Sequence, residues 1–365
     1  MKMTVDRSAL EIGLAIASAV VPTRTPKPVL ECVRLDVGAD AVELTATDDV
    51  LGIRYTVSQA QVSEPGKLLL NAGKLTQIVR ASTDETLAFE TDGESCHIRG
   101  RDSHFEVYSQ DPDDFPPVAA LEGDGDLQLP AGVLADLIGK TIYSAARENT
   151  RYAINGLLWE KEGNKLKLVG TDGRRLALAS RVVNKGVGED RRAIIPIRAL
   201  RVAQHLLTDP EATVTARLTD NQFQMRVGCA HLSSVLVEGN FPRYQDVIPK
   251  DCDLKLELPV EEFASAVRRA ALLTDQDSKG IRLAFSEGEL VLTSRAAEHG
   301  AATIRMPINY TDRALEIGFN PVYLGDALSV VGVDTVTLEM KEATRPGLLR
   351  AGPDFTYVIM PVSLK

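Results

Sequence analysis

Cysteine is sparse in this 365-residue chain: Cys32, Cys96, Cys229 and Cys252 stand far apart, and none has another cysteine or a histidine at metal-ligand spacing. That excludes a disulfide framework and a zinc module, and it predicts reduced, mostly buried thiols. Long apolar runs are also missing, since no stretch reaches the ~18 residues that a membrane span requires. The longest apolar run near the start, 10–21, is interrupted by Glu11 and Ser18. It has neither a charged leader nor a cleavage site, so a secretory signal is not expected. These absences predict a cytoplasmic chain with no membrane partner.

Catalytic signatures are equally scarce. There is no glycine-rich phosphate loop of the P-loop or dinucleotide kind, and no serine in a nucleophile elbow. The five histidines (His97, His104, His205, His231 and His299) fit no metal-ligand or nucleophile motif. No cofactor and no metal are expected. Positive charge is in deficit too, with 41 Lys and Arg against 51 Asp and Glu, a net charge of −10. As a sum this argues against nucleic acid, because phosphate binding rests on Lys and Arg. The distribution argues otherwise. Residues 71–82 carry Lys74 and Arg80 with no carboxylate, and 196–208 carry Arg198 and Arg201 with none. The acids collect in Asp111-Pro112-Asp113-Asp114, in 122–126 and in 209–211. An acidic protein with basic helices is the reading that fits.

What is present is a repeat. The stretch 165–178 alternates Leu166 and Leu168 with lysines, turns at Asp172-Gly173, and returns through Leu176 and Leu178. It predicts a β-hairpin with Arg174 and Arg175 at its tip. Leu44, Thr47 and Asp48 lie 124 positions before Leu168, Thr171 and Asp172, and Leu292 lies 124 after Leu168. Leu35, Trp159 and Leu283 repeat at the same interval. A domain-sized period means three copies of one domain of roughly 120 residues, over 1–120, 127–249 and 254–365.

Each copy predicts two helices and about eight strands, an α+β arrangement. In the first, Met3-Thr4-Val5 is a strand, Asp6 or Ser8 caps a helix with Leu10, Leu14 and Ala17 inward, and Asn71 caps a second helix with Leu75, Ile78 and Val79 inward. Arg24 and Lys27 fall in a proline-punctuated loop, as solvated charges or as phosphate contacts. The acidic segment 122–126 reads as a linker. The second copy opens at Leu129-Pro130, buries Leu134, Leu137, Ile138 and Ile142, and starts its second helix at Pro196. The third begins near Leu254, has its first helix from Pro259 through Leu273, its second at Asn320-Pro321, and a last strand over 355–361. Residues 320–331 contain no Lys or Arg. Asp172 before a glycine is turn chemistry far more often than a catalytic acid. A thrice-repeated domain without a catalytic constellation is more plausibly a scaffold than an enzyme.

Five segments, taken in order, resemble the bacterial sliding clamp family, the β subunit of the replicative DNA polymerase III: 151–156 (Arg-Tyr-Ala-Ile-Asn-Gly), 171–177 (Thr-Asp-Gly-Arg-Arg-Leu-Ala), 238–244 (Glu-Gly-Asn-Phe-Pro-Arg-Tyr), 319–324 (Phe-Asn-Pro-Val-Tyr-Leu) and 357–361 (Tyr-Val-Ile-Met-Pro). The resemblance covers the whole chain. It implies three tandem clamp domains, each with two helices on antiparallel sheets, in a head-to-tail homodimer whose six domains close a ring. Twelve helices would line the hole. Double-stranded DNA would be held by encirclement, without sequence preference, so the function implied is a non-catalytic processivity factor associated with the nucleoid.

The resemblance further implies a pocket for short linear peptides of the replicative polymerase catalytic subunit, the clamp loader, repair polymerases and mismatch-repair proteins. Its wall would be Ile154, Thr171, Gly173, Arg174, Arg175, Leu176, Pro242, Val247, Asn320, Tyr323, Val358, Met360 and Pro361. Aliphatic and methionine side chains suit a peptide's apolar anchors. Arg24, Lys74, Arg80, Arg147, Arg198 and Arg201 would face DNA. The dimer contact would be carried by Phe105 and Val107 of the first domain against Leu272 and Leu273 of the third, apolar as an obligate interface requires. The chain departs from many relatives at Asp246, where they carry a basic residue, and at Glu148, Asn149 and Tyr152-Ala153, where some use glutamine and paired tyrosines toward DNA. Two readings of other classes remain: a repeat-domain scaffold that docks peptides without encircling DNA, and an enzyme built on Asp172 and Arg175.

Overall fold

A computed structural model describes residues 1–146, 153–183, 185–186, 190–274 and 280–363. Among these, the chain forms six α-helices, α1 (Arg7–Ser18), α2 (Ala72–Ala81), α3 (Ala131–Gly139), α4 (Ile197–Leu206), α5 (Val260–Ala271) and α6 (Pro321–Leu328), two for each stretch marked by the repeat. The strands between them number nine, nine and eight, and all pair antiparallel. This is the α+β arrangement expected. No helix is long and apolar enough to cross a membrane.

The 124-residue interval is a register. Leu35 pairs with Leu44, Trp159 with Leu168 and Leu283 with Leu292, in three successive hairpins. All six side chains are buried. The second helices agree, since Leu75, Leu200 and Leu324 are each fully buried. A spacing that keeps the inward face inward is what a period-2 strand demands, because a slip of one residue would turn the whole apolar set to solvent.

Local capping follows the sequence. Ala9 N donates to Asp6 Oδ1 (2.8 Å) and Lys74 N to Asn71 Oδ1 (3.0 Å), each satisfying an orphan donor of a first turn. The prolines behave differently from the expectation. Pro130, Pro196 and Pro259 each end a strand, and the helix begins at the next residue. Their fixed φ suits both the extended strand and the entry to the helix. Ile142 also lies outside its helix. The Thr141 hydroxyl bonds back to the Leu137 carbonyl (2.7 Å), α3 stops at Gly139, and Ile142 opens a 3₁₀ turn, half-buried. Leu272 and Leu273 fall beyond the end of α5.

The chain divides into two compact units. Unit 1 is Met1–Ala135, Val183–Glu189 and Arg198–Leu236; unit 2 is Asp136–Val182, Asp190–Ile197 and Val237–Lys365. The middle copy is thus shared between them. In unit 1, nine strands form one sheet in the order Lys185–Gly186, Leu127–Pro130, Thr213–Leu218, Gln222–Val227, Ala230–Val235, Leu51–Val57, Val42–Thr47, Cys32–Val37 and Gly66–Asn71. Middle and first copies join where Ala230–Val235 pairs with Leu51–Val57. In unit 2, eight strands run from Arg191–Pro196 to Leu254–Pro259, and middle and third copies join where Arg175–Val182 pairs with Phe355–Ile359.

Two smaller sheets complete the units. Unit 1 has five strands ending at His104–Tyr108, and unit 2 has four ending at Gly300–Pro307. The acidic segment 122–126 is no free linker. Asp126 N donates to the Ala216 carbonyl (2.8 Å), and the Asp126 carboxylate accepts from Leu218 N (3.1 Å). At Gly125, with φ +65°, a Cβ would stand 2.7 Å from the Ala216 carbonyl oxygen, so only glycine lets the segment lie against that strand.

Candidate functional site

The hairpin tip in unit 2 is built from side-chain acceptors that replace missing ladder bonds. The Thr171 hydroxyl donates to the Arg175 carbonyl (2.7 Å) and accepts from Gly173 N (3.1 Å). Asp172 Oδ1 accepts from Arg174 N (2.9 Å) and Arg175 N (3.0 Å). Gly173 has φ +83°, a conformation that an L side chain would strain. Asp172 is therefore turn chemistry, as its setting before glycine implies.

Arg174 and Arg175 part company at this tip. Arg174 is exposed. The Arg175 side chain is only 9 % exposed. Its Nε donates to Asp172 Oδ2 (3.1 Å), Nη1 to Asp326 Oδ2 (2.6 Å) and Nη2 to the Tyr143 carbonyl (2.6 Å). Its guanidinium carbon also sits 4.3 Å from the centre of the Tyr323 ring. Burial alone would lower its pKa, but the Asp326 carboxylate first, then Tyr357 and Asp172, outweigh burial and raise it. Arg175 is thus a brace tying the hairpin to α6 and fixing Tyr323. With its donors turned inward, it is not the open polar group that the sequence suggested. Nothing in the sequence marked Asp326 or Tyr143 as its partners, because both meet it only through tertiary packing.

By burial, the other expected wall residues fall into three states. Ile154, Leu176 and Val358 are buried in one cluster with Leu158, Val169 and Phe241. Thr171 is buried, and Pro242, Asn320, Tyr323 and Pro361 are half-buried. Gly173, Val247 (51 %) and Met360 (42 %) are exposed. Leu176 pairs with Val358, and Met360 N donates to the Arg174 carbonyl (2.9 Å), so the last strand lies along the hairpin. The Asn320 side chain accepts from Val322 N (2.9 Å) and caps α6. A residue that the sequence did not single out holds the segment carrying Pro242: buried Glu160 accepts from Tyr244 Oη (2.6 Å). Burial first, and then this bond, push the Tyr244 phenol up.

In unit 1, Arg24, Lys74, Arg80, Arg198 and Arg201 are all exposed, while Arg147 lies outside the described residues, as do Glu148, Asn149 and Tyr152. Two of the five are paired. Arg80 is 3.7 Å from Glu11, and Arg198 donates to the Asp48 carboxylate and to the Val20 carbonyl (2.7 Å). Lys27 binds Asp49 (2.6 Å). Of the expected interface residues, Phe105 and Val107 are half-buried on the edge strand His104–Tyr108 of unit 1. In unit 2, Leu272 is 77 % exposed after α5 and Leu273 is half-buried.

Comparison with known proteins agrees over the full length. Residues 1–119, 128–243 and 245–363 match the N-terminal, central and C-terminal domains of the DNA polymerase III beta subunit. The beta sliding clamp of Pseudomonas putida is 32 % identical, with 100 % of both chains covered. A crystal structure of the DNA polymerase III subunit beta from Pseudomonas aeruginosa superposes with a TM-score of 0.94 at 30 % identity, again covering 100 % of both chains. A second Pseudomonas aeruginosa sliding clamp structure, bound to griselimycin, gives the same score and identity. The chain belongs to the family of the bacterial DNA polymerase III beta subunit, the DNA sliding clamps that give the polymerase its processivity.

Proposed function

We propose that two copies of this chain close head to tail into a ring that encircles duplex DNA and performs no chemistry of its own. What carries the reading is a pair of unlike open edges. Among the described residues, His104–Tyr108 ends one sheet of unit 1 and Gly300–Pro307 ends one sheet of unit 2, each with no further strand on its outer side. Unpaired edges invite another chain, and two different edges on one chain make a heterologous contact that can close a ring. Phe105 and Val107 of one copy would meet Leu272 and Leu273 of the next. Encirclement needs only weak, sequence-blind phosphate attraction, for which exposed Arg24, Lys74 and Arg201 suffice, with Arg80 and Arg198 steadied by their carboxylate partners. The acidic exterior would keep DNA off the outer wall.

The second element is the wall around Arg175. Exposed Val247 and Met360 beside half-buried Pro242 and Tyr323 suit the apolar anchors of a short linear peptide, with the exposed Arg174 at the rim. The replicative polymerase, the clamp loader, repair polymerases and mismatch-repair proteins would share this seat in turn. The protein would work in the cytoplasm at the nucleoid, in domains bounded near 1–120, 127–249 and 254–365.

The test loads the chain onto a nicked circle with a clamp loader and ATP, then linearises half of the sample at salt high enough to screen surface charge. Retention on the circle with loss from the linear form is the expected result. Equal release from both would leave a peptide-docking scaffold that never encircles DNA.

A further inference from the structure

On the five-stranded sheet of unit 1, strands Ser95–Arg99 and His104–Tyr108 form the outermost hairpin. His97 and His104 stand on its exposed face, and His97 Nδ1 lies 3.1 Å from His104 Nε2, with the rings inclined at 43°. Seven residues apart in sequence, they fit no ligand motif. The hairpin brings them together because His97 pairs with Glu106 and Arg99 with His104, which makes the two histidines diagonal neighbours.

We propose that His97 and His104 form a binding site for a borderline divalent cation of the Zn²⁺ class. The separation is what chelation requires. Two nitrogens each ~2.05 Å from a tetrahedral Zn²⁺ lie ~3.3 Å apart, and at the right angle of a square-planar ion they lie ~2.9 Å apart. The observed distance falls between the two, so a small rotation of each ring converts the contact into a bidentate site. Imidazole is the ligand that Zn²⁺, Cu²⁺ and Ni²⁺ favour.

The surroundings favour a cation. In register, His97 has Glu90 on one side and Glu106 on the other. Arg99, opposite His104, is turned away by its ion pair with Glu90 (2.6 Å), which Lys2 also joins (3.4 Å). Glu106, opposite His97, accepts from the Ser95 hydroxyl (2.9 Å). Among the described residues no set of three or more His, Cys, Asp or Glu side chains could enclose a metal. The site is therefore open, with water in its remaining positions. It lies on the face of the strand opposite to Phe105 and Val107, as alternation dictates.

The experiment is calorimetric titration of Zn²⁺ into the metal-free full chain, with His97→Gln, His104→Gln and, as a distant control, His299→Gln. One ion per chain is expected, weakened about tenfold or more by either of the first two changes and unaltered by the control. Copper(II) electron paramagnetic resonance should show two nitrogen ligands in the natural chain and one in either variant. Affinity unchanged in His97→Gln or His104→Gln, absence of binding, or equal loss in His299→Gln would overturn the proposal. Since His104 is exposed and His97 half-buried, an unchanged thermal unfolding midpoint verifies that the variants are folded.

Discussion

The tips at 47–51 and 171–175, one in each unit and 124 residues apart, are the same turn put to different uses. In both, a threonine hydroxyl spans the turn, Thr47 to the Leu51 carbonyl (3.0 Å) and Thr171 to the Arg175 carbonyl (2.7 Å). In both, one oxygen of the following aspartate takes two backbone N–H groups. The third residue of each has positive φ, +72° at Asp49 and +83° at Gly173. The other aspartate oxygen holds an arginine in each case. Asp48 receives Arg198 from α4, whereas Asp172 receives Arg175 from its own turn. The first tip gathers Arg198 and Lys27, cations on the side read as facing DNA. The second turns its arginine inward to brace the hairpin against α6. A fixed carboxylate is the shared device, and the residue four positions after the threonine, Leu51 or Arg175, decides what it serves.

The hardest way to break this comparison is to delete the carboxylates. Asp172→Ala leaves Arg175 with Asp326 and the Tyr143 carbonyl but removes one carboxylate from a nearly buried guanidinium and the acceptor of two turn N–H groups, so a loss of about 2 kcal/mol in denaturant unfolding is expected together with weaker peptide binding. Asp48→Ala frees an arginine that is half exposed, so about 1 kcal/mol is expected. Equal losses would mean that burial of the partner does not set the cost. A subtler change targets the third residue. Gly173→Ala should cost about 1 kcal/mol through backbone strain alone, because no atom stands within 4 Å of the new Cβ. Asp49→Gly should be close to neutral, since relief of the same strain offsets an exposed ion pair worth ~0.5 kcal/mol. If Asp49→Gly costs as much as Gly173→Ala, the Lys27 contact matters more than its exposure implies.

The mildest probe is pH. Burial pushes the Cys32 thiol up to about 11 and the Cys96 thiol to about 12, both in unit 1, from an ordinary 9.0. A raised folded pKa adds stability that is complete below pH ~9 and declines as pH rises through the folded values. In unit 2 the buried phenols Tyr143, Tyr244 and Tyr357 are raised from an ordinary 10.0, and Cys252 is raised from 9.0 too but is only half-buried, where Cys32 and Cys96 are buried. Segment-resolved hydrogen exchange should therefore show unit 1 loosening first between pH 9 and 10. Simultaneous loosening would show that the thiols are not decisive.

Much of this was legible in residues that act locally. The repeat interval, the caps at Asp6 and Asn71, the turn at Asp172-Gly173 and the inward leucines are set by neighbours within a few positions. The rest depends on partners that sequence does not name. Arg175 looked like a turn charge because Asp326 is 151 residues away. Arg198 looked like an open DNA contact because Asp48 is 150 away. The 122–126 segment looked like a linker, since acidic and glycine-bearing stretches usually are, yet Asp126 and Gly125 fit it to a neighbouring strand. The helix starts were displaced by one residue where proline closes a strand as readily as it opens a helix.

The copies meet strand to strand, at Ala230–Val235 with Leu51–Val57 and at Arg175–Val182 with Phe355–Ile359. Peptide groups are the same in every residue but proline, so the ladder itself names no side chain, although Leu176 and Val358 do share one buried cluster across the second seam. The ladder therefore accommodates repeated stretches with unlike side chains: one threonine–aspartate turn holds Arg198 of α4, another holds its own Arg175, and the third copy has Arg295 and Ala296 at the corresponding places.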